Sequence, residues 1–451
     1  MIPVVTPEEM KAIDEAAPET TETLVERAGV AVARRALRLM GGGYGRRVVV
    51  VAGKGNNGAD GRAAAERLRR RGVKPLVVEA AGAPDRLAPC DLVIDAAYGT
   101  GFHGDYQAPD AGEAPILAVD IPSGVDGLTG AAGHGAVRAT ATVTFAALKP
   151  GLLLDEGRVR AGTVEVADIG LDVSGARIHL VEDGDLGHRL PARPWVTHKW
   201  RTAVMVVAGS PGMMGAPLLV SRGAMRSGAG YVRLGVPGAD PGDLPPGSEA
   251  VAAPLPPQYW AGPAMEQASR TRAMVVGPGL GRDDSTMADV RRLFAEAEVP
   301  MVVDADGLVA LDPERWTPPE RPPAARVLTP HDGEFEHMAG GPPGPDRVGA
   351  ARDLAARTGA VVLLKGPTTV VAGPGGDVLL SATGDPRLAT AGTGDVLSGV
   401  IGALLAQGMD PFWAAGIGAH VHGAAARTGH SRGLVAGDLP ELLAAWLSDH
   451  A

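Results

Sequence analysis

Residues 48–61 read VVVVAGKGNNGADG, an apolar run that passes directly into a loop containing four glycines. A strand followed by a glycine loop and a helix directs free backbone N–H groups at a bound anion such as a phosphate. Gly53, Gly55 and Gly58 fit the dinucleotide-binding spacing, but Glu79 comes too late for the acidic residue that completes it. The alternative is a tight turn that needs glycine at positive φ. That alternative leaves the amide and carboxylate groups within the loop unexplained.

Further apolar runs recur along the chain in two sets. The runs are apolar throughout, which indicates strands covered on both faces and therefore largely parallel sheets in layered α/β domains. The predicted strands are 48–52, 75–78, 92–95, 116–120, 143–145 and 164–166, then 204–208, 231–236, 274–276, 301–304, 326–328 and 361–364. The predicted helices are 7–16, 21–40, one running up to residue 71, and 215–227, 285–297, 346–358, 394–406 and 411–427. A proline-containing segment of mixed charge separates the two sets.

Composition excludes several classes of protein. Of 451 residues, 45% are hydrophobic and 21% charged, which is enough to bury sizeable cores and excludes overall disorder. The net charge is -10, so the protein has no long-range positive potential to attract the phosphate backbone of a nucleic acid, and no nucleic-acid partner is expected. A single cysteine, Cys90, permits no intramolecular disulfide and fits a reducing compartment. With neither a signal peptide nor a membrane-length apolar run, no membrane association and a cytoplasmic location are expected.

Two more predicted strands end in aspartate followed by a flexible loop. Residues 95–101 read DAAYGTG and residues 120–127 read DIPSGVDG. Ligands of parallel α/β sheets bind at the carboxyl ends of the strands. Asn57, Asp95 and Ser123 can together offer oxygen atoms to a hard cation, and Asp120 can act as a base. The alternative for each aspartate is a helix cap.

These motifs, in this order, resemble the NAD(P)HX epimerase family over residues 1–185. The resemblance implies a Rossmann-like fold and interconversion of the R and S epimers at the hydrated nicotinamide carbon of NADHX and NADPHX. It implies a catalytic, substrate-contacting Asp120. It also implies a K⁺ ion bound by Asn57, Asp95 and Ser123. The other implied substrate contacts are Asn56, Asn57, Gly58, Ala59, Asp60, Gly99, Thr100, Gly101, Phe102, His103, Gly104 and Asp105. Many members have proline at the position of Lys54 and glycine at the position of Ala59. Because alanine replaces glycine here, residue 59 is expected to have a negative φ.

A second motif, TAGTGDVLSG at 390–399, lies at the predicted start of a helix. Glycines before a helix expose backbone N–H groups to an anion, and Asp395 can take a proton from a hydroxyl that attacks phosphorus. The alternative is a capped helix with a glycine entrance. The loops GPGLG at 277–281, TPHDGE at 329–334 and KGPTT at 365–369 each follow a predicted strand, so they are expected to converge on one cleft. No Walker A motif is present, which excludes the P-loop route to nucleotide chemistry.

This combination resembles the ADP-dependent NAD(P)HX dehydratase family, with a ribokinase-like fold, over residues 196–451. The resemblance implies that Asp395 deprotonates the ring hydroxyl, a phosphoryl group passes from ADP to that oxygen, and loss of phosphate restores the nicotinamide double bond. Mg²⁺ is expected with the nucleotide. The implied dinucleotide contacts are Ala216, Gly279, His331 and Asp395, and the implied nucleotide contacts are Lys365, Gly366, Pro367, Thr368, Thr369 and Gly394. Trp200 stands where the family usually has glycine.

The sequence therefore predicts two three-layer α/β domains, 1–185 and 196–451, joined by a linker at 186–195. A homo-oligomer is expected, of an order that the sequence does not give. His420 and His422 are interpreted as packing residues, because they lie two apart on a predicted helix. One rival hypothesis is a ribokinase-class kinase for a vitamin precursor, fused to a nucleotide-binding domain. Another is that the first domain is a non-catalytic binding module.

Overall fold

The computed structural model describes the chain except residues 103, 105, 193, 245–247, 313–316, 318, 320–321 and 451. Two compact units make up the chain: Ile2–Ile178, and His179–Ala451 together with Met1. The first unit thus ends before the predicted boundary at residue 185. The reason is that Val181 N–H donates to Leu380 O (2.9 Å) and Leu186 is fully buried in the core of the second unit. Part of the predicted linker at 186–195 is therefore a packed helix.

The first unit is a parallel sheet with helices. Its sheet has the strand order β3-β2-β4-β5-β6-β7, and every neighbouring pair is parallel. The six predicted strands are confirmed to within two residues at each end. The elements are β1 (Ile2–Val4), α1 (Pro7–Ala16), α2 (Thr21–Leu39), β2 (Arg47–Ala52), α3 (Asn56–Arg69), β3 (Lys74–Glu79), β4 (Leu92–Ala96), β5 (Ile116–Val119), β6 (Ala141–Phe145), α4 (Asp155–Arg160) and β7 (Thr163–Ala167).

Both faces of this sheet are buried, as the apolar runs predict. Val48 and Val50 of β2 share a core with Val32 of α2 and with α3. Their neighbours Val49 and Val51 point to the opposite face, since side chains alternate along a strand. Loop residues around 80–98 and 106–116 cover that second face, in place of the long helices found on the first.

The second unit contains a larger mixed sheet. Its strand order is β8-β17-β16-β15-β14-β13-β12-β9-β10-β11, in which β14 to β11 form a parallel run and β15-β16-β17 pair antiparallel. The strands are β8 (Ile178–Leu180), β9 (Ala203–Val207), β10 (Tyr231–Gly235), β11 (Val251–Ala252), β12 (Ala273–Val276), β13 (Met301–Val303), β14 (Arg326–Leu328), β15 (Val361–Leu364), β16 (Thr369–Ala372) and β17 (Val378–Ser381). The helices are α5 (Leu186–Arg189), α6 (Gly215–Arg226), α7 (Ala261–Ala268), α8 (Asp284–Glu296), α9 (Asp306–Val309), α10 (Asp332–Ala339), α11 (Arg347–Thr358), α12 (Thr393–Ala406), α13 (Pro411–Thr428) and α14 (Leu439–His450).

Helices α6 and α12 pack with their backbones in contact. A Cβ atom added at Gly223 would lie 2.5 Å from Val396 O, and one added at Gly399 would lie 2.1 Å from Val220 O. Real Cβ atoms do not approach backbone oxygens this closely, so only glycine permits the crossing. The contact places the first turn of α12 at the carboxyl ends of β9, β12 and β13.

Trp200, the departure from the dehydratase pattern, lies at the amino end of β9. The Arg270 guanidinium carbon lies 4.2 Å from the centroid of the Trp200 ring. The centroid of the Tyr231 ring lies 4.5 Å from that of Trp200. Lys199 Nζ lies 4.6 Å from the Tyr231 ring. The residue is therefore held in a cation–π cluster, at the sheet edge opposite to the one where ligands are expected. No helix in the described part of the chain is long and apolar enough to span a bilayer.

Candidate active sites

The first unit has a cavity of about 790 Å³ at the carboxyl edge of its sheet. The ends of β2, β4 and β5 border it, and α1 and α2 supply further walls. Among its lining residues are the predicted contacts Asn56, Asn57, Asp60, Gly99, Thr100, Gly101, Phe102 and Asp120, joined by Asp14, Lys54, Glu79, Tyr98 and Lys149. The predicted contacts His103 and Asp105 lie outside the described residues, and Gly104 is not part of the lining.

The glycine loop turns tightly into α3. Helix α3 begins at Asn56, and Ala59 N–H donates to Gly55 O at 3.1 Å. Ala59 is helical, so its φ is negative as the resemblance requires. Gly58 lies buried beneath the loop, where a Cβ atom would come 1.9 Å from Gly53 O. Gly58 and Ala59 thus shape the loop, while the side chains before and after them face the cavity.

Asp120 follows β5 directly and has a backbone φ of 66°. Positive φ is unfavourable for a residue with a Cβ atom, and such strain concentrates at functional sites. The conformation is held by the Asp120 N–H, which donates to Val143 O at 2.7 Å. The Asp120 side chain is 15% exposed and borders the cavity.

Lys149 is a site residue that the sequence analysis missed. Its side chain is 1% exposed, and Nζ lies 2.6 Å from Asp120 Oδ1. Thr144 Oγ1 also donates to Asp120 Oδ1, at 2.9 Å. The available signal was a lysine placed directly after the apolar run that forms β6, where a charge is costly unless it is paired.

Two further carboxyl groups line the same cavity. Burial raises the pKa of Asp60 to about 8, and the nearby Asp120 and Asp14 carboxylates add to the effect. The pKa of Asp14 is also raised, by partial burial and by Asp120, while Lys149 opposes the rise. Asp60 therefore holds a proton at neutral pH. Asp14 is the second residue that the sequence analysis did not assign to the site.

The three predicted K⁺ ligands come from separate segments: Asn57 from the first turn of α3, Asp95 from the end of β4 and Ser123 from the loop after β5. Asp95 is buried, and its carboxylate accepts from Ser123 Oγ (2.6 Å) and Ser123 N–H (2.8 Å). Burial raises the pKa of Asp95 to about 6 against the opposing effect of these hydrogen bonds. Both polar atoms of the Asn57 amide are buried without a hydrogen-bond partner among the described residues. A buried amide oxygen without a partner and a buried carboxylate are the kinds of oxygen ligand that a hard monovalent cation prefers.

The second site lies at the amino end of α12. Gly392 caps this helix with a φ of 88°, and Asp395 lies in the first turn. Burial raises the pKa of Asp395 to about 6. The nearby Asp304 and Glu334 carboxylates contribute to this rise in pKa, and Lys365 opposes it. This is the predicted placement of a base beside free helix N–H groups.

Lys365 is anchored by a buried aspartate. Lys365 Nζ lies 2.6 Å from Asp304 Oδ1 and 3.8 Å from Glu334 Oε2. Ser398 Oγ donates to Asp304 Oδ2 at 2.7 Å. These carboxylates outweigh burial and raise the pKa of Lys365, so the ammonium is charged. Ala305, next to Asp304, has a strained φ of 52°. Neither Asp304 nor Glu334 was assigned a role from the sequence.

The other predicted residues of this site lie on the loops that follow the strands of the second sheet. A Cβ atom at Gly279, whose φ is 70°, would lie 3.5 Å from Ala216 Cβ, so the structure brings these two predicted contacts together. His331 caps α10, because its Nδ1 accepts from Gly333 N–H (3.1 Å) and Glu334 N–H (3.3 Å). Its ring is exposed, and Nε2 lies 3.5 Å from Glu334 Oε1. Gly366, Pro367, Thr368 and Thr369 form the connection from β15 to β16, next to Lys365.

His420 and His422 are both buried on α13. His420 Nε2 lies 2.7 Å from Asp183 Oδ1. Burial lowers the pKa of His422 to about 4, with a backbone hydrogen bond involving Thr393 opposing the shift. In the described part of the chain, no group of three or more His, Cys, Asp or Glu is arranged to hold a metal ion.

Comparison with known families covers both units. The profile described as NAD(P)H-hydrate dehydratase matches residues 204–448, and the profile described as YjeF-related protein N-terminus matches 21–86 and 79–151. A bifunctional NAD(P)H-hydrate repair enzyme from Salinibacter ruber is 38% identical, over 93% of this chain and 91% of its own. One from Mycobacterium tuberculosis is 41% identical, over 82% of this chain and 80% of its own.

A solved structure resembles the second unit. The ADP/ATP-dependent NAD(P)H-hydrate dehydratase from Bacillus subtilis, co-crystallised with ATP and Mg²⁺, is 32% identical with a TM-score of 0.52. The match covers 60% of this chain and 98% of the Bacillus protein. Together with the relatives that match most of the chain, this confirms the two resemblances read from the sequence. The chain belongs to the family of bifunctional NAD(P)H-hydrate repair enzymes.

Proposed function

We propose that this protein repairs hydrated NADH and NADPH. The first unit interconverts the R and S epimers of NADHX and NADPHX, and the second dehydrates the S epimer at the expense of ADP, giving AMP and phosphate. One observation carries the proposal: each unit combines a buried lysine–aspartate ion pair with an aspartate suited to proton transfer. In the first unit that aspartate, Asp120, belongs to the ion pair. In the second unit Asp395 lies next to the pair of Lys365 and Asp304. The family's bifunctional members support the same pairing of activities.

Epimerisation requires the hydrated carbon to lose one bond, to oxygen or to the ring nitrogen, and to regain it on the other face. Ring opening needs a base for the hydroxyl proton and an acid for the released nitrogen. Loss of water needs an acid for the hydroxyl and later a base for the returning water. Protonated Asp60 and the Asp120 carboxylate supply such a pair in one cavity. Asn56 and 99–102 are assigned to substrate binding around them.

Dehydration begins when Asp395 accepts the proton of the ring hydroxyl as its oxygen attacks the β-phosphorus of ADP, releasing AMP. The helix N–H groups of α12 and the Lys365 ammonium stabilise the charge on the transferred phosphoryl group. Phosphate then leaves the hydrated carbon as the neighbouring carbon loses a proton, which restores the double bond. Mg²⁺ enters with the nucleotide phosphates as part of the substrate.

K⁺ is proposed for the first site, held by Asn57, Asp95 and Ser123. The support is the buried Asn57 amide, which has no hydrogen-bond partner among the described residues, together with the buried Asp95 carboxylate that Ser123 contacts. A cation there supplies positive charge that orients the loop and anionic parts of the substrate. We also propose a cytoplasmic homo-oligomer without a nucleic-acid partner; light scattering tests the assembly.

The test is to supply a mixture of both NADHX epimers with ADP, Mg²⁺ and K⁺ and to follow recovery of the near-ultraviolet absorbance of NADH. Complete recovery requires both activities. Recovery that stops once the S epimer is used up contradicts the epimerase assignment and leaves the first unit a binding module. A stable phosphorylated product without recovery of NADH points instead to an ordinary ribokinase-class kinase.

A further inference from the structure

Lys149 occupies a position that is unusual for lysine, since its side chain is 1% exposed. Lysine is almost never fully buried unless it is paired, because an isolated ammonium is very costly to remove from water. The partner is Asp120, whose Oδ1 lies 2.6 Å from Nζ. The fold therefore bears the cost of desolvating a cation in order to place it against one oxygen of one carboxylate.

All three donors of the Lys149 ammonium are used within the protein. They go to Asp120 Oδ1 at 2.6 Å, Thr144 Oγ1 at 2.9 Å and Phe145 O at 3.1 Å. An ammonium group has three N–H donors and no acceptor. No donor remains for a substrate hydroxyl, so the effect of Lys149 on the reaction passes through Asp120.

The contacts also distinguish the two oxygens of Asp120. Thr144 Oγ1 donates to Oδ1 at 2.9 Å, the same oxygen that Lys149 binds. Among the described residues, Oδ2 accepts no hydrogen bond, and it lies 3.8 Å from the position of a Cβ atom at Gly99 on the cavity wall. One oxygen is thus fixed and the other is left for a ligand.

Five carboxyl groups border the cavity, and two of them, Glu19 and Glu79, pair with arginines outside the lining. The charge of Lys149 selects among the other three. Asp14, Asp60 and Asp120 cannot all ionise at low cost, because like charges close together disfavour one another. Of these three carboxyl groups the Lys149 ammonium touches only Asp120, and the Asp120 charge contributes to the raised pKa values of the other two. The negative charge is therefore concentrated on Asp120.

We propose that Lys149 is the positioning residue of the epimerase site, which holds Asp120 as the carboxylate of the cavity and leaves Oδ2 as its proton acceptor. The inference rests on the proposed epimerase function and adds a residue to it. Lys149 itself makes no contact with the substrate, and Thr144 supports it by donating to the same oxygen.

The experiment measures epimer exchange by chromatography as a function of pH in the Lys149→Met protein. We expect kcat to fall on the order of a hundredfold with KM changed less than about threefold. Because the Asp120 carboxylate loses its compensating cation, the acidic limb of the kcat/KM profile should move to higher pH. A merely structural role would lower the rate without moving that limb.

Two matched variants and one internal control keep the test decisive. Thr144→Val removes only the second hydrogen bond to Oδ1 and should move the limb in the same direction by less. Lys74→Met removes an equal charge from an exposed position outside the cavity lining and should leave the limb in place. Dehydration of purified S-NADHX by each variant reports whether the chain is folded. Wild-type protein without epimer exchange would refute the proposed function, whereas exchange with an unmoved limb in both Lys149→Met and Thr144→Val would overturn this inference alone.

Discussion

The two sites use the same interaction in opposite senses. In the first unit, Lys149 is buried (1% exposed) and its partner Asp120 faces the cavity (15% exposed). In the second, Asp304 is buried (1% exposed) and its partner Lys365 is the more exposed (22%). Both pairs have the same N–O distance of 2.6 Å. The buried partner prepares the exposed one, so one unit presents a carboxylate and the other an ammonium.

This reversal agrees with the chemistry proposed for each site. Inversion of a carbon centre needs a proton acceptor and a donor, which are the roles of Asp120 and Asp60. Phosphoryl transfer needs positive charge near the phosphates, which Lys365 supplies, and a separate base, Asp395. A buried ion pair is a weak source of stability, but loss of one partner leaves an unpaired charge and costs about 3–5 kcal/mol. The pairs are therefore better explained by function than by folding.

The largest effect is expected from Asp395→Asn. The amide cannot accept the hydroxyl proton, so ADP-dependent recovery of NADH from S-NADHX should fall by a factor on the order of a thousand or more. Epimer exchange, measured by chromatography without ADP, should stay within about twofold of wild type. An equal loss of both activities would contradict the assignment of the activities to different units.

Asp120→Asn should give the converse result with a somewhat smaller factor. Epimer exchange should slow on the order of a hundredfold, because the remaining carboxyl groups replace the lost acceptor poorly. Dehydration of the purified S epimer should be unchanged. The substitution also leaves Lys149 buried beside a neutral amide, so the free energy of unfolding of the first unit should fall by about 3 kcal/mol. Unaltered exchange would show that the carboxylate presented by Lys149 is not the one that reacts.

The pH profiles of the two activities should differ, because each rate should fall about tenfold per pH unit on a different side of neutrality. Asp395 must be ionised to act as a base, and its pKa is raised to about 6, so dehydration should decline as the pH falls through 6. Asp60 must be protonated to act as an acid, and its pKa is raised to about 8, so epimer exchange should decline as the pH rises through 8. Initial rates of each activity between pH 5 and 9 check both limbs. Parallel profiles would contradict the assigned roles.

The smallest effect is expected from the monovalent cation. Replacing K⁺ by Na⁺ should slow epimer exchange a few-fold, because a smaller ion fits the fixed oxygens around Asn57 less well. Dehydration by the same sample serves as the control for general salt effects. Asn57→Ala should remove the difference between the two ions, and an equal exchange rate in K⁺ and Na⁺ with wild-type protein would count against the site.

Much of the fold could be predicted, because strands buried on both faces are continuous apolar runs. The hairpin of β16 and β17 was not predicted, since each strand has only four residues, three of them apolar, which is a weak periodic signal. The described units divide after Ile178, ahead of the predicted boundary at 185, since burial of Leu186 is a tertiary effect that the linker-like Pro191 and Pro194 do not signal. The glycine loops and strand-end aspartates marked the sites, since each belongs to a local pattern.

The missed residues share a different property. Lys149 and Asp304 act through partners that are distant along the chain, Asp120 and Lys365. No spacing rule connects them, and a lone charged residue at a strand end has several ordinary explanations. Only the three-dimensional arrangement identifies the pairing. Residues that prepare a reactive group are therefore harder to read from a sequence than the reactive group itself.

The glycine contact between α6 and α12 limits how this protein can be engineered. Replacing a helical glycine by alanine ordinarily strengthens a helix by up to about 1 kcal/mol and is a common route to heat-resistant variants. At Gly223 and Gly399 the added methyl group would push the helices apart and displace the anion-binding turn. A consensus or thermostability library should leave these two positions fixed, because gains in helix propensity there would be lost in turnover.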